Sequence, residues 1–155
     1  MSYPNLVCAR LSIAARRAAE GGIFIGHGRD TQWRELRDHL QDQHGYDVLA
    51  YETAPRAGWL VGDVLEEMLS RASFAVLVMT AEDETADGAQ ARQNVVHEVG
   101  LCQGRLGLTR AIPLKENGVN VFSNLAGVNW ITFDRGNIQA AFGEVLGALK
   151  RELHT

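Results

Sequence analysis

The chain is poor in cysteine, and its two cysteines lie far apart. Cys8 and Cys102 form no CxxC pair and have no histidine at metal-ligand spacing. This pattern excludes a zinc-finger motif and offers no disulfide framework. A reducing cytoplasm is therefore the expected compartment, and no metal site is expected.

The chain also lacks an excess of positive charge and a long hydrophobic run. Its 15 Lys and Arg residues against 19 Asp and Glu residues leave a formal net charge of −4. A mildly acidic protein has no bulk electrostatic attraction to DNA, RNA or an anionic membrane surface. Its uncharged apolar runs fall far short of the roughly 20 residues that span a bilayer. We therefore expect neither a nucleic-acid partner nor a membrane partner.

The composition that remains is that of one globular domain. Hydrophobic residues make up 46% and charged residues 22% of the 155 residues, which suffices for one core and not for two domains. The first 21 residues carry Arg10, Arg16 and Arg17 after or within apolar stretches, which is the wrong order for a secretory signal. They could mimic an organelle transit peptide. We expect residues 1–21 to be an extension or linker and residues 22–155 to form the domain.

From Gly22 onward, short apolar runs alternate with segments of helical periodicity. Strands are predicted at 23–25, 46–51, 74–79, 109–114 and 128–133. Helices are predicted at 33–44, 61–69, 92–104 and 137–153, and the acidic stretch 82–88 is predicted to be a loop. This alternation implies a parallel sheet with helices on both faces. The predicted fold is a flavodoxin-like three-layer α/β sandwich with a five-stranded parallel sheet.

Ligands of such sheets bind beyond the carboxyl ends of the strands, at the switch point of the strand order. The segments that follow the predicted strands there are 26–31, 51–60, 79–92 and 114–120. A phosphoacceptor receiver domain would need an aspartate at the end of the central strand. That strand ends in Met79-Thr80, which excludes this chemistry.

The loop after the first strand has two of the three glycines of a dinucleotide-binding fingerprint. It reads Gly26-His27-Gly28-Arg29-Asp30-Thr31, with Thr31 at the third glycine position. This partial match is weak as a cofactor motif, but it indicates a tight turn where backbone amides could meet a phosphate. The alternative is a simple strand-to-helix turn capped by Asp30 or Thr31.

The predicted helix 92–104 places one carboxylate on the edge of a buried stripe. Glu98 lies on this edge, in one row with Asn94 and Arg105. Partial burial costs a carboxylate hydration, an environment typical of carboxylates that do chemistry. The alternative is that Glu98 reaches past the core to water and pairs with Arg105. The core-facing stripe itself is formed by Val95, Val99 and Cys102.

Several longer motifs follow one another along the chain. They are Phe24–Asp30, Trp33–Leu36, Ala72–Thr80, Ala91–Leu101, Gly104–Gly107 and Phe122–Leu125. In this order they resemble the bacterial TIR-like domain found in effectors of cyclic-nucleotide antiphage systems (CBASS and Pycsar). The resemblance covers residues 22–152 and leaves the first 21 residues outside.

The resemblance implies a flavodoxin-like fold and, in enzymatic members, cleavage of the nicotinamide–ribose bond of NAD. NAD is then the substrate, and no cofactor is implied. In these enzymes a glutamate on the third helix contacts the ribose and stabilises the oxocarbenium-like centre, and Glu98 occupies that position. An anion near a developing cation stabilises it most strongly in a dry site.

The resemblance also implies a set of substrate-binding residues. Many TIR enzymes have a tryptophan four residues before the catalytic glutamate, where this chain has Asn94, so aromatic stacking has to come from elsewhere. Tyr51 and Trp59 are candidates by position, although each could be an ordinary packing aromatic. Arg29 is expected near the phosphates, and His27 is expected to be a turn residue rather than a base. The full expected set is Gly26, His27, Gly28, Arg29, Tyr51, Trp59 and Asn94.

Three hypotheses of function stay open at this point. The first is an NAD glycohydrolase that is activated by self-association through TIR surfaces. The second is a non-enzymatic interaction or nucleotide-binding module, with loop 51–60 as its contact surface, and the third is a nucleoside deoxyribosyltransferase-like enzyme. A sensor domain or protein that binds a cyclic nucleotide is a possible partner. The leading residues are too few to form that sensor, so the chain would be a fragment, a stand-alone protein or half of a two-protein system.

Overall fold

The computed structural model describes residues 21–51, 61–85, 88–91, 93–120 and 130–153, without the side chains of 61–62, 83–85 and 93–94. The elements are β1 (Gly22–Gly26), α1 (Trp33–Asp38), β2 (Val48–Ala50), α2 (Val61–Arg71), β3 (Ala72–Met79), β4 (Asp83–Thr85), β5 (Gly88–Gln90), α3 (Gln93–Leu106), β6 (Ala111–Glu116), β7 (Ile131–Phe133) and α4 (Phe142–Leu153). Within these ranges, no helix is both long and apolar enough to cross a bilayer.

Five of the strands form one parallel sheet in the order β2-β1-β3-β6-β7. This is the doubly wound order of flavodoxin-like folds, and it confirms the predicted fold class. The chain leaves β1 toward one edge to make β2 and then returns to make β3 on the other side of β1. The switch point of the strand order therefore lies between β1 and β3.

The three layers follow from the alternation of side chains along β3. Phe74, Val76 and Val78 face a cluster that includes residues of α1 and α4. The alternate residues of β3 face a second cluster, which includes residues of α2 and α3. These alternate strand residues are Ala75, Leu77 and Met79. Since successive strand residues point to opposite faces, a continuously apolar strand needs a helical layer on each side.

The prediction that residues 82–88 form a loop is wrong. Asp83–Thr85 and Gly88–Gln90 pair as an antiparallel two-stranded sheet, with Asp83 opposite Gln90. This pairing depends on backbone hydrogen bonds, which any residue other than proline supplies, so the acidic composition did not reveal it. Gly88 has a φ of 110°, a conformation that glycine adopts without strain.

Several predicted boundaries also shift. The helix predicted over 33–44 is α-helical only to Asp38 and continues as a π-helix over His39–Gln43. The strand predicted over 46–51 is limited to Val48–Ala50. The last helix begins as a 3-10 turn at Ile138–Ala141. The strand predicted at 109–114 is Ala111–Glu116, because Gly107, with a φ of 86°, ends α3 and a turn over residues 108–110 follows.

Candidate functional site at the carboxyl edge of β1

The side chain of Glu98 approaches the backbone at the end of β1. Glu98 is half-buried, and its Oε2 atom is shielded from solvent. A Cβ placed on Gly26 would lie 2.6 Å from this oxygen, so the absence of a side chain at Gly26 makes room for the carboxylate. Glu98 therefore points to the switch-point edge of the sheet. Arg105, the partner of Glu98 in the alternative interpretation, contacts Glu66 of α2.

The helix that carries Glu98 is anchored as its sequence predicts. The stripe of Val95, Val99 and Cys102 is buried in the cluster between α3 and the sheet. Burial raises the pKa of the Cys102 thiol to about 12, the Glu98 carboxylate adds to this increase, and Arg105 opposes it. The Cys102 thiol therefore keeps its proton within the helix–sheet interface.

His27 connects the loop after β1 to the end of β2. Its Nδ1 lies 2.8 Å from the carbonyl oxygen of Gly28, and its Nε2 lies 2.9 Å from the carbonyl oxygen of Tyr51. Carbonyl oxygens only accept, so a neutral imidazole can donate to one of them and the imidazolium form donates to both. The ring also stacks on Trp33 at 3.8 Å between centroids. In this arrangement His27 holds the loop in place.

The backbone amides of the same loop bind a carboxylate of the chain itself. The N–H groups of Arg29 and Asp30 both donate to Glu82 Oε1, the latter over 2.7 Å. Asp30 in turn accepts the N–H of Gln32 with its Oδ1 atom at 2.9 Å. The prediction that Asp30 or Thr31 caps the helix is wrong, because Gln32 is the N-cap residue and no side chain caps it. Asp30 instead stabilises the turn before the helix, and the adjacent amides of Arg29 and Asp30 face an anion.

Glu116, at the end of β6, is the third glutamate at this edge and is only 3% exposed. It accepts the N–H groups of Ala81 and Gly136, each at 3.3 Å, and the Gln32 side-chain amide at 2.8 Å. These bonds connect the ends of β3 and β6 to the start of α1 and the turn before α4. Glu116 thereby fixes the relative positions of four segments around the edge.

The structure brings most of the expected site residues to one edge. Gly26, His27 and Gly28 lie beside each other, and Tyr51 meets His27 through its carbonyl group while its side chain is 37% exposed. Arg29 is exposed. Trp59 and the side chain of Asn94 lie outside the described residues.

Sequence reasoning missed Glu82 and Glu116 as components of this edge. Their positions relative to the strands are a signal that could have identified them. Glu116 ends a buried strand, and Glu82 follows the end of another buried strand by three residues. In the part of the chain that the structure describes, no group of three or more His, Cys, Asp or Glu side chains could hold a metal ion.

Comparison with known proteins agrees with the fold. The family described as "CAP12/Pycsar effector protein, TIR domain" matches residues 22–135, from the first residue of β1 to the turn after β7. The chain belongs to this TIR-domain family.

Two relatives of this TIR domain cover different shares of it. "Pycsar effector protein BcPycTIR" of Burkholderia cepacia is 36% identical over 100 residues, which are 59% of this chain and 33% of that protein. "Uncharacterized protein YuaY" of Escherichia coli strain K12 is 28% identical over 127 residues, which are 78% of this chain and 42% of that protein. The chain thus spans less than half the length of these curated relatives.

Replacement of Gly26 by alanine tests the contact between β1 and Glu98. The added Cβ would meet both Glu98 Oε2 and Leu77 Cδ1 at 2.6 Å, so the free energy of unfolding should fall by about 1–3 kcal/mol. Gly100→Ala is the matched control, because a Cβ there has open space on α3 and should stabilise the helix by about 0.5–1 kcal/mol. Urea unfolding measures both. A Gly26→Ala variant as stable as the parent would contradict the contact.

The pKa of Cys102 predicts a loss of stability at alkaline pH. A thiol released by unfolding ionises from about pH 9.0, whereas the folded protein keeps its proton until about pH 12. The unfolded state therefore binds fewer protons in this range, and the free energy of unfolding falls as pH rises through it. In a Cys8→Ser background, the alkaline slope should be steeper than in the same protein with Cys102→Ala. Equal slopes of the unfolding free energy against pH in the two proteins would refute the raised pKa of Cys102.

Proposed function

We propose that this TIR domain cleaves the nicotinamide–ribose bond of NAD and serves as an effector of antiphage defence in the cytoplasm. The proposal concerns residues 22–155, with residues 1–21 as an extension or linker. Family membership supports the effector role. The observation that carries the reaction is the position of half-buried Glu98, whose Oε2 atom is shielded from solvent beside Gly26 at the switch-point edge of the sheet.

Cleavage of this bond develops positive charge on the ribose as the nicotinamide leaves with the bonding electrons. A fixed carboxylate beside the ribose stabilises that charge, and it does so most strongly where water is excluded. We assign this role to Glu98, which is supported by the buried stripe that holds α3 and by the shielding of Oε2 from solvent. Water then adds to the ribose carbon and loses a proton, so that the products are nicotinamide and ADP-ribose.

The loop after β1 is the proposed position of the NAD phosphates. Its amides already converge on an anion, the absence of a side chain at Gly28 makes room for that anion, and Arg29 adds a positive charge at the surface. Tyr51 and Trp59 are the proposed sources of aromatic stacking, and Asn94 of a polar contact next to Glu98. His27 acts in this scheme as the residue that holds the loop.

We further propose that the domain works only when it is assembled. Effectors named for the Pycsar system, such as the Burkholderia relative, make a cyclic-nucleotide sensor the proposed upstream partner. Self-association through TIR surfaces would then activate the catalytic sites. The two other hypotheses predict different results. A non-enzymatic module would assemble without NAD turnover, and a nucleoside deoxyribosyltransferase-like enzyme would exchange bases between deoxynucleosides.

Glu98→Gln tests the catalytic role. The amide keeps the shape and hydrogen bonding but removes the negative charge, so the rate of nicotinamide release should fall on the order of 10²–10³-fold. The melting temperature should barely change, because glutamine avoids the cost of burying a charge. Glu144→Gln is the matched control, since it removes an exposed carboxylate on α4, and its turnover should equal that of the parent.

Two results would contradict the assignment of Glu98. Turnover of Glu98→Gln within about threefold of the parent would exclude an electrostatic role of the size expected for such a contact. Lower stability with normal turnover would make Glu98 a structural residue.

A dilution series tests activation by assembly. If sites become active only in a self-associated state, mass action requires NAD turnover per molecule to rise with protein concentration. Nicotinamide release is measured over about a hundredfold range of concentration, with and without a crowding agent that favours compact assemblies. Constant specific activity over that range would refute the dependence.

A further inference from the structure

Glu82 occupies the place that the proposed function reserves for a phosphate. Its Oε1 atom accepts the N–H groups of Arg29 and Asp30 in the loop after β1. A Cβ on Gly28 would overlap the Glu82 carboxylate, which shows how closely this group is pressed against the loop. The space above Gly28 is therefore filled by an anion that belongs to the protein.

The fit of the Glu82 carboxylate in this place is incomplete. Its Oε2 atom is buried and has no hydrogen-bond partner among the described residues. A buried carboxylate oxygen without a donor is unfavourable relative to the same oxygen in water. If the side chain moved into solvent, water would donate hydrogen bonds to both oxygens. The unpaired Oε2 atom therefore favours release of the carboxylate from the loop.

Adjacent backbone amides that converge on one oxygen form the kind of nest that binds phosphate. A phosphate has more acceptor oxygens than a carboxylate and carries a larger charge, so it suits the same donors. It cannot enter while Glu82 is present, because the carboxylate takes the space at Gly28 and repels a second anion at short range.

Glu82 is also well placed to respond to movement of the neighbouring hairpin. It lies between the end of β3 and the start of β4, and its N–H donates to the carbonyl of Gln90 on β5 over 3.0 Å. The hairpin is connected in turn to the segment after β6 by the N–H of Asn120, which donates to Ala89 at 2.8 Å. A shift of this hairpin would therefore move Glu82 with respect to the loop.

We propose that the Glu82 carboxylate is an internal competitor of the substrate: it fills the amide nest of Arg29 and Asp30 in the resting domain and has to leave before a phosphate of a dinucleotide binds there. This inference rests on the proposed function, whose substrate has a diphosphate. It makes the resting domain self-inhibited at the substrate site.

Binding of ADP-ribose and of inorganic pyrophosphate to the full chain, measured by titration calorimetry, tests the competition. Glu82→Ala empties the nest, and both ligands should bind about ten- to a hundredfold more tightly once two hydrogen bonds to a charged group no longer have to be broken. Glu82→Gln keeps an acceptor oxygen but lacks the charge, so its affinities should lie between those of the parent and Glu82→Ala. Glu144→Gln, with the same loss of charge at an exposed position on α4, should bind like the parent.

Unchanged or weaker binding in both Glu82 variants would overturn the inference and make Glu82 a structural clamp of the loop. Melting temperatures are measured beside the affinities. If Glu82→Ala fails to fold, Glu82→Gln decides the question, because its side-chain oxygen can still accept the N–H groups of Arg29 and Asp30.

These measurements separate the two proposals, since neither ligand requires turnover. If NAD is not hydrolysed but pyrophosphate binding responds to Glu82, the proposed reaction fails and the competition stands. If NAD is hydrolysed and the Glu82 variants bind both ligands with the affinities of the parent, only the proposed competition fails.

Discussion

Burial of β3 on both of its faces is the constraint on which the rest of the structure depends. The alternating side chains of Phe74 to Met79 are all at most 2% exposed. Removal of such a strand from water on both sides requires a helical layer above and below the sheet. The helices in turn require crossover connections, and these place the loops at the ends of the strands. The position of the site is thus a consequence of hydrophobic burial.

The polar groups at the carboxyl edge follow from the same constraint. The backbone N–H groups of Ala81, after β3, and of Asp30, in the loop after β1, are partly buried and need acceptors. Glu116 supplies one for Ala81, and Glu82 supplies one for Arg29 and Asp30. In both cases a carboxylate from one segment satisfies amides of another. Charge-assisted hydrogen bonds therefore connect the segments along this edge of the sheet.

Glu98 differs from these two carboxylates in what holds it. It is carried by a helix whose opposite side is fixed by Val95, Val99 and Cys102, and it meets β1 where Gly26 has no side chain. Periodicity was enough to place Glu98 at the edge of the buried stripe. Periodicity could not predict that Glu98 approaches Gly26. This contact depends on the distance in space between α3 and β1, which are about 70 residues apart in the chain.

Local patterns along the chain were sufficient for the fold class, the layers and the buried stripe of α3. Apolar periodicity reports which side of an element is removed from water, and this property is local. The β4–β5 hairpin and the partners of Glu82 and Glu116 were decided only by tertiary structure. Hydrogen bonds between backbone amides and distant carboxylates depend on separations in space, to which neither composition nor spacing is sensitive.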